Sequence, residues 1–230
     1  MMAGFTTVTL GEFAVCVFAA YGTLFDMTST VARARDRLGD KARELSRLWR
    51  VHQQRLLQDE GLPESLREFW HITGRALDNA LAEIGVKDAS LRARLMQLAL
   101  NVDSFPDAKA ALDGLRSIGL KVATFSNATL TMLISALKHT GLDRLTDTVI
   151  PAEPTAFKPT EAAYRFLCEK LKLEPARVLY VSADPRDAEG AARAGLKVVW
   201  LRRDAAANEA PKSAIATISN LAELCPLLGR

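Results

Sequence analysis

Four short polar clusters, each directly after an apolar segment, carry the side chains of this chain that could do chemistry. They are Tyr21 to Asp26, Ser126 with Asn127, Lys158 with Pro159, and Ser182 to Asp187. Hydroxyl, amide, ammonium and carboxylate groups can bind a small anion or orient an attacking water. Taken singly the clusters are weak signals, because Ser-Asn is often a helix cap and Lys-Pro an exposed turn. Their shared position after apolar runs predicts one common site.

Short strands must position these clusters. Residues 13–20 are continuously apolar, which is typical of a strand buried on both faces of a parallel sheet. The pattern recurs at 120–125, 177–181 and 197–201, each after a helical stretch, and a further strand holds residues 149–150. This alternation predicts an α/β fold with a doubly wound, Rossmann-like parallel sheet. Ligands of such sheets bind outside the carboxyl ends of the strands, where the four clusters lie.

A helical insertion interrupts this alternation. From about residue 28 to 103 there is no convincing strand, only amphipathic segments at 41–58, 64–84 and 89–100. Gly61, Pro63 and Gly85 lie near predicted helix ends, and Asp88 is a plausible N-cap. We therefore predict a core domain of residues 1–26 and 104–230 and a helical cap subdomain of residues 27–103.

Composition excludes several classes of protein. The 230 residues include 30 basic and 27 acidic side chains, scattered without a polybasic tract, so neither a nucleic acid nor a membrane is expected as a partner. The apolar run at 13–20 is far too short to span a bilayer. Three unclustered cysteines predict neither a disulfide framework nor a zinc site. We expect a cytoplasmic protein by default.

With the clusters in this order, the chain resembles the haloacid dehalogenase superfamily and, within it, the type II (S)-2-haloacid dehalogenases. The resemblance covers nearly the whole chain. It rests on the run Ala-Tyr-Gly-Thr-Leu-Phe-Asp at 20–26, Leu-Trp-Arg at 48–50, Ser-Asn at 126–127, Lys-Pro at 158–159 and Tyr164. It implies hydrolysis of small 2-haloacids to 2-hydroxy acids: an aspartate closing the first strand displaces halide, and water then hydrolyses the ester.

The same resemblance implies roles for individual residues. Arg50 would receive the halide and the substrate carboxylate, Asn127 would assist at the halide, and Ser126 would bind the carboxylate. Lys158 would keep the nucleophile ionised, since a nearby cation lowers the pKa of a carboxyl group. The other residues carried over would complete the polar shell and the pocket wall; they are Thr23, Tyr164, Ser182, Asp187, Tyr21, Asp184 and Phe69.

Ala19 stands at the position of the nucleophile, and its methyl group cannot attack carbon or phosphorus. The chain as written is therefore predicted to be catalytically silent. A variant made to capture substrate would change Ala19 alone. A naturally divergent homologue would also carry drift such as Val51 for a frequent Gln, Asp184 for Asn or His, and Arg186 for an aromatic residue.

Ordinary structural explanations compete with several of these roles. Arg50 fits the solvated face of a basic helix, Tyr164 fits a helix face turned to the core, and Asp187 could stabilise the first turn of a helix. Only the joint fit of the clusters to one pocket favours the functional interpretation.

Other functions follow from the same residues. A non-catalytic protein could use the pocket to bind a small carboxylate or phosphate. The spacing of Asp184 and Asp187 resembles the Mg²⁺ site of superfamily phosphatases, but Ala19 removes a principal ligand and Tyr21 leaves no acid two residues later. We expect no metal or cofactor outside that phosphatase alternative, a small anionic ligand of the 2-haloacid type, and a homodimer by analogy with relatives.

Overall fold

The computed structural model describes residues 10–59, 68–152, 157–203 and 210–229. Its main sheet has six strands in the order β5-β4-β1-β6-β7-β8, and every neighbouring pair is parallel. The strands are β1 Val15–Ala19, β4 Lys121–Ser126, β5 Thr148–Pro151, β6 Val178–Ser182, β7 Lys197–Leu201 and β8 Ala216–Ile218, while β2 Phe25–Asp26 and β3 Asp103–Ser104 form a separate antiparallel pair. The predicted α/β class with a parallel sheet is confirmed.

Helices occupy most of the remaining described chain. Those of the insertion are α1 Met27–Ala32, α2 Arg35–Leu38, α3 Lys41–Leu57, α4 Phe69–Glu83 and α5 Ala89–Leu100. Those that alternate with the strands or follow them are α6 Ala108–Ser117, α7 Leu130–Thr140, α8 Glu161–Leu171, α9 Pro185–Arg193 and α10 Leu224–Leu227. Their α-helical periodicity places one apolar stripe of each longer helix against a core.

Five of the six strands of the main sheet form where the apolar runs predicted them, with small shifts at their ends, whereas β8 was not predicted. All five residues of β1 are buried, because helices cover both faces of this central strand. Phe13 belongs to the predicted run and is buried, but the strand begins only at Val15. Residues 120 and 177 likewise precede β4 and β6 by one position. Burial determines which residues of the run are apolar, whereas backbone hydrogen bonds between strands determine where the strand begins and ends. The apolar run and the strand therefore need not share their boundaries.

The insertion is helical, as predicted, and packs around a hydrophobic cluster of its own. Leu45, Trp49, Leu77 and Leu95 are among the buried members of this cluster. Asp88 is the N-cap of α5, where its carboxylate accepts a hydrogen bond from the Leu91 amide at 2.9 Å.

Two details of the insertion differ from the prediction or lie outside it. Helix α4 begins at Phe69, and residues 64–67 of the predicted helix, like Gly61 and Pro63, lie outside the described residues. The two-residue ladder between β2 and β3 was not predicted, because it is too short to leave a periodic pattern. This ladder pairs the segment in which the chain leaves the core with the segment in which it returns from the insertion. The domain boundaries at 26/27 and 103/104 stay a prediction.

Two hydrophobic clusters hold the sheet, one on each face. Phe18, Leu112 and Leu133 belong to the face covered by α6 and α7, while Val17, Tyr164 and Trp200 belong to the face covered by α8 and α9. Among the described helices, none has the length and apolar character needed to cross a membrane.

Candidate functional site

A cleft of about 940 Å³ opens at the carboxyl ends of the sheet strands, between them and the helical insertion. The strand ends contribute Ala19, Ser126 and Ser182, and the insertion contributes Arg50 from α3 and Phe69 from α4. A cleft at this edge is where the topology of a doubly wound sheet places ligands. The geometry therefore unites elements that are far apart in the sequence.

A tight turn follows β1 and shapes the floor of the cleft. The amides of Thr23, Leu24 and Phe25 all donate to the carbonyl of Ala20, at 3.2, 2.8 and 3.1 Å. Gly22 takes a φ of +82°, which favours glycine because it has no Cβ. This turn leaves Ala19, with 5% of its surface exposed, at the end of the strand facing the cleft.

Thr23 lies behind the cleft and connects two of its loops. Its hydroxyl accepts a hydrogen bond from the Ala183 amide at 3.0 Å, which joins the loop after β1 to the loop after β6. Thr23 is 1% exposed and does not line the cleft. The structure thus gives Thr23 a contact between two loops of the cleft, and its predicted place in the polar shell stays a prediction.

Asn127 holds the segment that carries Lys158. Its amide oxygen accepts from the Lys158 backbone amide at 2.7 Å, and its amide nitrogen donates to the Lys158 carbonyl at 3.2 Å. The peptide bond between Lys158 and Pro159 is cis. Asn127 therefore positions Lys158 in addition to lining the cleft.

Asp187 is the centre of a buried polar network. Its carboxylate accepts hydrogen bonds from the hydroxyls of Ser182 at 2.6 Å, Tyr164 at 2.6 Å and Tyr180 at 3.0 Å, and it pairs with the Lys158 ammonium at 3.1 Å. The Lys158 and Asp187 side chains are each 9% exposed. A buried carboxylate needs this many donors because it has left water.

The two tyrosines of this network stay protonated. Burial, reinforced by the negative charge of Asp187, raises the pKa of both Tyr164 and Tyr180 well above the usual tyrosine range. Both hydroxyls therefore act as hydrogen-bond donors to Asp187. Tyr164 is fully buried behind the cleft and does not line it.

Asp184 caps α9. Its carboxylate accepts from the Arg186 amide at 2.9 Å and lies 3.4 Å from the Arg186 guanidinium. Asp184 and Asp187 thus have protein donors on their oxygens and are poorly suited to a shared Mg²⁺ ion. In the described ranges, no group of three or more His, Cys, Asp or Glu side chains is arranged to hold a metal ion.

Three of the four cations lining the cleft are paired with a carboxylate. Lys158 pairs with Asp187 and Arg186 with Asp184, while Arg203 makes two hydrogen bonds to Asp107, at 2.7 and 2.9 Å. The fourth cation, Arg50, is exposed and has no ion pair or hydrogen bond to the part of the chain that the structure describes. Among the described residues, Arg50 is therefore the lining cation without a carboxylate partner, and the Asp26 and Asp59 carboxylates line the same cleft.

Two hydroxyl groups of the cleft residues also lack acceptors. The Tyr21 hydroxyl is buried without any hydrogen-bond partner within the described ranges, and burial raises its pKa. The Ser126 oxygen accepts from the Ala128 amide at 3.2 Å, but no described residue accepts its hydroxyl proton. The Ser126 hydroxyl belongs to a residue that lines the cleft and can donate its proton to a ligand, whereas the Tyr21 oxygen is almost completely shielded from solvent and lacks a hydrogen bond at an energetic cost.

Ten of the twelve residues that the sequence analysis singled out line this cleft; they are Ala19, Tyr21, Arg50, Phe69, Ser126, Asn127, Lys158, Ser182, Asp184 and Asp187. Their individual roles stay predictions. Tyr180 and Arg203 were missed. A signal for Tyr180 existed, because it stands two residues before Ser182 and so shares its face of β6. No sequence pattern pointed to Arg203, which reaches the Thr23 carbonyl at 2.7 Å across 180 residues.

Comparison with known proteins gives consistent matches. The family described as haloacid dehalogenase-like hydrolase matches residues 13–195. The (S)-2-haloacid dehalogenase 4A of Burkholderia cepacia is 36% identical over 218 residues, which cover 94% of each chain. A crystal structure of a dehalogenase superposes with a TM-score of 0.89 at 35% identity, covering 96% of this chain and 99% of the other. An L-2-haloacid dehalogenase superposes with a TM-score of 0.87 at 30% identity, covering 95% and 100%.

Proposed function

The chain belongs to the haloacid dehalogenase-like hydrolases, and we propose that its cleft binds small 2-substituted monocarboxylates of the 2-haloacid class without hydrolysing them. One observation carries this proposal. Ala19 occupies the strand end between Ser126 and Ser182, in a cleft where Arg50 has no partner among the described residues and where this strand end carries no carboxylate. The residues to which the family resemblance assigns binding line the cleft, and a methyl group stands where that resemblance implies the carboxylate that forms the ester.

The charge pattern favours a monoanion. Arg50 offers a positive charge that has no partner among the described residues, and the Ser126 hydroxyl can donate to a carboxylate oxygen. A phosphate dianion would need a second free cation, yet Lys158, Arg186 and Arg203 each face a carboxylate. A 2-halo or 2-hydroxy acid carries one charge and a small apolar substituent, which Phe69 and the neighbouring apolar wall can contact.

The covalent step would need a carboxylate at position 19. In the reaction implied by the family, its oxygen attacks the 2-carbon, the carbon–halogen bond breaks, and halide leaves with the bonding electrons. Water then hydrolyses the ester to a 2-hydroxy acid. In a serine hydrolase, removal of the nucleophile lowers kcat by on the order of 10⁶. We therefore expect no measurable halide release from the chain as it stands.

Restoring the carboxylate tests this proposal. Ala19→Asp is expected to release chloride from (S)-2-chloropropionate, measured by ion chromatography, while Ala19→Asn serves as a near-isosteric control without a nucleophile. A folded Ala19→Asp protein that releases no chloride would reject the dehalogenase assignment of the cleft. Calorimetry on the unaltered chain should show saturable binding of 2-chloropropionate or lactate; the absence of any saturable heat would reject the binding proposal.

A Mg²⁺-dependent phosphatase is the weaker alternative. It would need free oxygens on Asp184 and Asp187, but these oxygens accept hydrogen bonds from the helix backbone and from the network around Lys158. Hydrolysis of p-nitrophenyl phosphate that depends on added Mg²⁺ would favour this alternative over the proposal.

A further inference from the structure

The Lys158 ammonium has three N–H groups, and each has an acceptor within the protein. They are the Phe125 carbonyl at 3.2 Å, the Tyr180 hydroxyl at 2.8 Å and the Asp187 carboxylate at 3.1 Å. An ammonium offers three donors and no acceptor, so these three contacts use all of its N–H groups. A group at position 19, or a ligand in the cleft, can bind Lys158 only by displacing one of them.

Tyr180 makes the shortest of the three contacts. Its side chain is fully buried in β6, and its hydroxyl accepts from Lys158 while it donates to both oxygens of Asp187, at 3.0 and 3.2 Å. Its ring also lies under the ammonium, with 5.5 Å between the nitrogen and the ring centroid. One residue therefore bridges both members of the buried ion pair.

We propose that Tyr180 is a positioning residue that holds Lys158 in a closed network with Asp187, so that the lysine is withheld from the cleft and Arg50 is left as the cation that receives the ligand. This inference rests on the proposed function only for the identity of the ligand. That Lys158 has no N–H group left for a ligand in the cleft follows from its three hydrogen bonds within the protein.

Tyr164 provides a matched control. It is also a fully buried tyrosine, its ring packs edge-on against Tyr180 with 5.9 Å between centroids, and its hydroxyl donates to the same carboxylate at 2.6 Å. It makes no hydrogen bond to Lys158. Tyr164→Phe and Tyr180→Phe therefore remove the same atom from the same network, but only Tyr180→Phe frees an N–H group of the lysine.

The first experiment measures Lys158 without relying on dehalogenation. The unaltered chain, Tyr180→Phe and Tyr164→Phe are acetylated with acetic anhydride at fixed pH, and modification of Lys158 is followed by peptide mass spectrometry against the other lysines. We expect Tyr180→Phe to raise the relative rate at Lys158 several-fold, because the ammonium loses a stabilising acceptor, and Tyr164→Phe to leave it near the original rate. Equal rates in all three proteins, or an equal rise in both variants, would overturn the inference.

The second experiment introduces a carboxylate at position 19, which competes with the present acceptors for the N–H groups of Lys158. Chloride release is compared between Ala19→Asp and the double variant Ala19→Asp/Tyr180→Phe. One net hydrogen bond corresponds to about tenfold in an equilibrium, so kcat is expected to rise by about that factor in the double variant. The acid limb of its pH profile should move to lower pH, because a freed Lys158 stabilises the ionised Asp at position 19.

The outcomes separate the two proposals. Chloride release that is equal in both proteins, with the same acid limb, would overturn the inference and leave the dehalogenase assignment in place. Absence of chloride release from both, together with the acetylation result expected for Tyr180→Phe, would reject dehalogenation and retain the withholding of Lys158.

Discussion

Helix α9 packs so closely on the segment after Lys158 that Gly190 has no room for a side chain. A Cβ there would lie 2.8 Å from the Pro159 carbonyl oxygen, 2.9 Å from a ring carbon of Tyr164 and 3.0 Å from the Pro159 Cβ. Alanine would favour the helix by about 1 kcal/mol over glycine. Overpacking costs about 1 to 3 kcal/mol, and the upper end applies here because backbone atoms cannot rotate away. We therefore expect Gly190→Ala to lower the free energy of unfolding by about 2 kcal/mol.

Gly74 in α4 is the matched control. Its added Cβ would meet the tip of Arg92 at 3.3 Å and the Met96 methyl at 3.6 Å, both ends of flexible side chains. Gly74→Ala should therefore leave stability unchanged or raise it by up to about 1 kcal/mol. Urea denaturation gives both values, and Gly190→Ala should also lower Tm by about 4 to 8 °C. A Gly190→Ala protein as stable as the unaltered chain, at an unchanged m-value, would refute the close packing of α9 on this segment.

Two further predictions concern the charges around the cleft. Burial opposes ionisation of Asp107, but the Arg203 guanidinium and the Leu221 amide outweigh it, so the pKa of Asp107 is lowered. Because a lowered pKa stabilises the fold above the unfolded value of about 3.9, Asp107→Asn should cost about 2 kcal/mol at pH 7. In urea denaturation this difference should shrink as pH falls below about 4; a pH-independent difference would contradict the ion pair. Arg50→Gln should weaken binding of 2-chloropropionate by about 10- to 100-fold in calorimetry, because the ligand carboxylate loses its cation. The same variant should change the free energy of unfolding by less than about 0.5 kcal/mol, because Arg50 has no partner among the described residues. An unchanged affinity would contradict the assignment of Arg50 as the cation that binds the ligand.

The sequence alone was sufficient for the fold class and for most of the cleft. Apolar runs identified the buried strands because a parallel sheet covered on both faces must be apolar at nearly every position. The polar clusters after those runs marked the site because the carboxyl ends of parallel strands meet at one edge. Asp88 could be predicted as a helix N-cap from the sequence, because capping is a contact between residues close in sequence. Ala19 became informative through the clusters around it, because the family resemblance that they carry implies a carboxylate at its position.

Only the tertiary structure decided how the charges of the cleft are shared. Whether Arg50 or Lys158 is free depends on which carboxylates reach them, and those partners are distant in sequence: Lys158 pairs with Asp187, and Arg203 with Asp107. The position of Tyr180 two residues before Ser182 indicated the face of β6 on which it lies, but the hydrogen bond between its hydroxyl and Lys158 depends on the tertiary structure. Local spacing determines secondary structure, whereas the pairing of long side chains depends on how the elements pack in three dimensions. Here that packing gives all three N–H groups of Lys158 an acceptor and leaves Arg50 without a partner among the described residues.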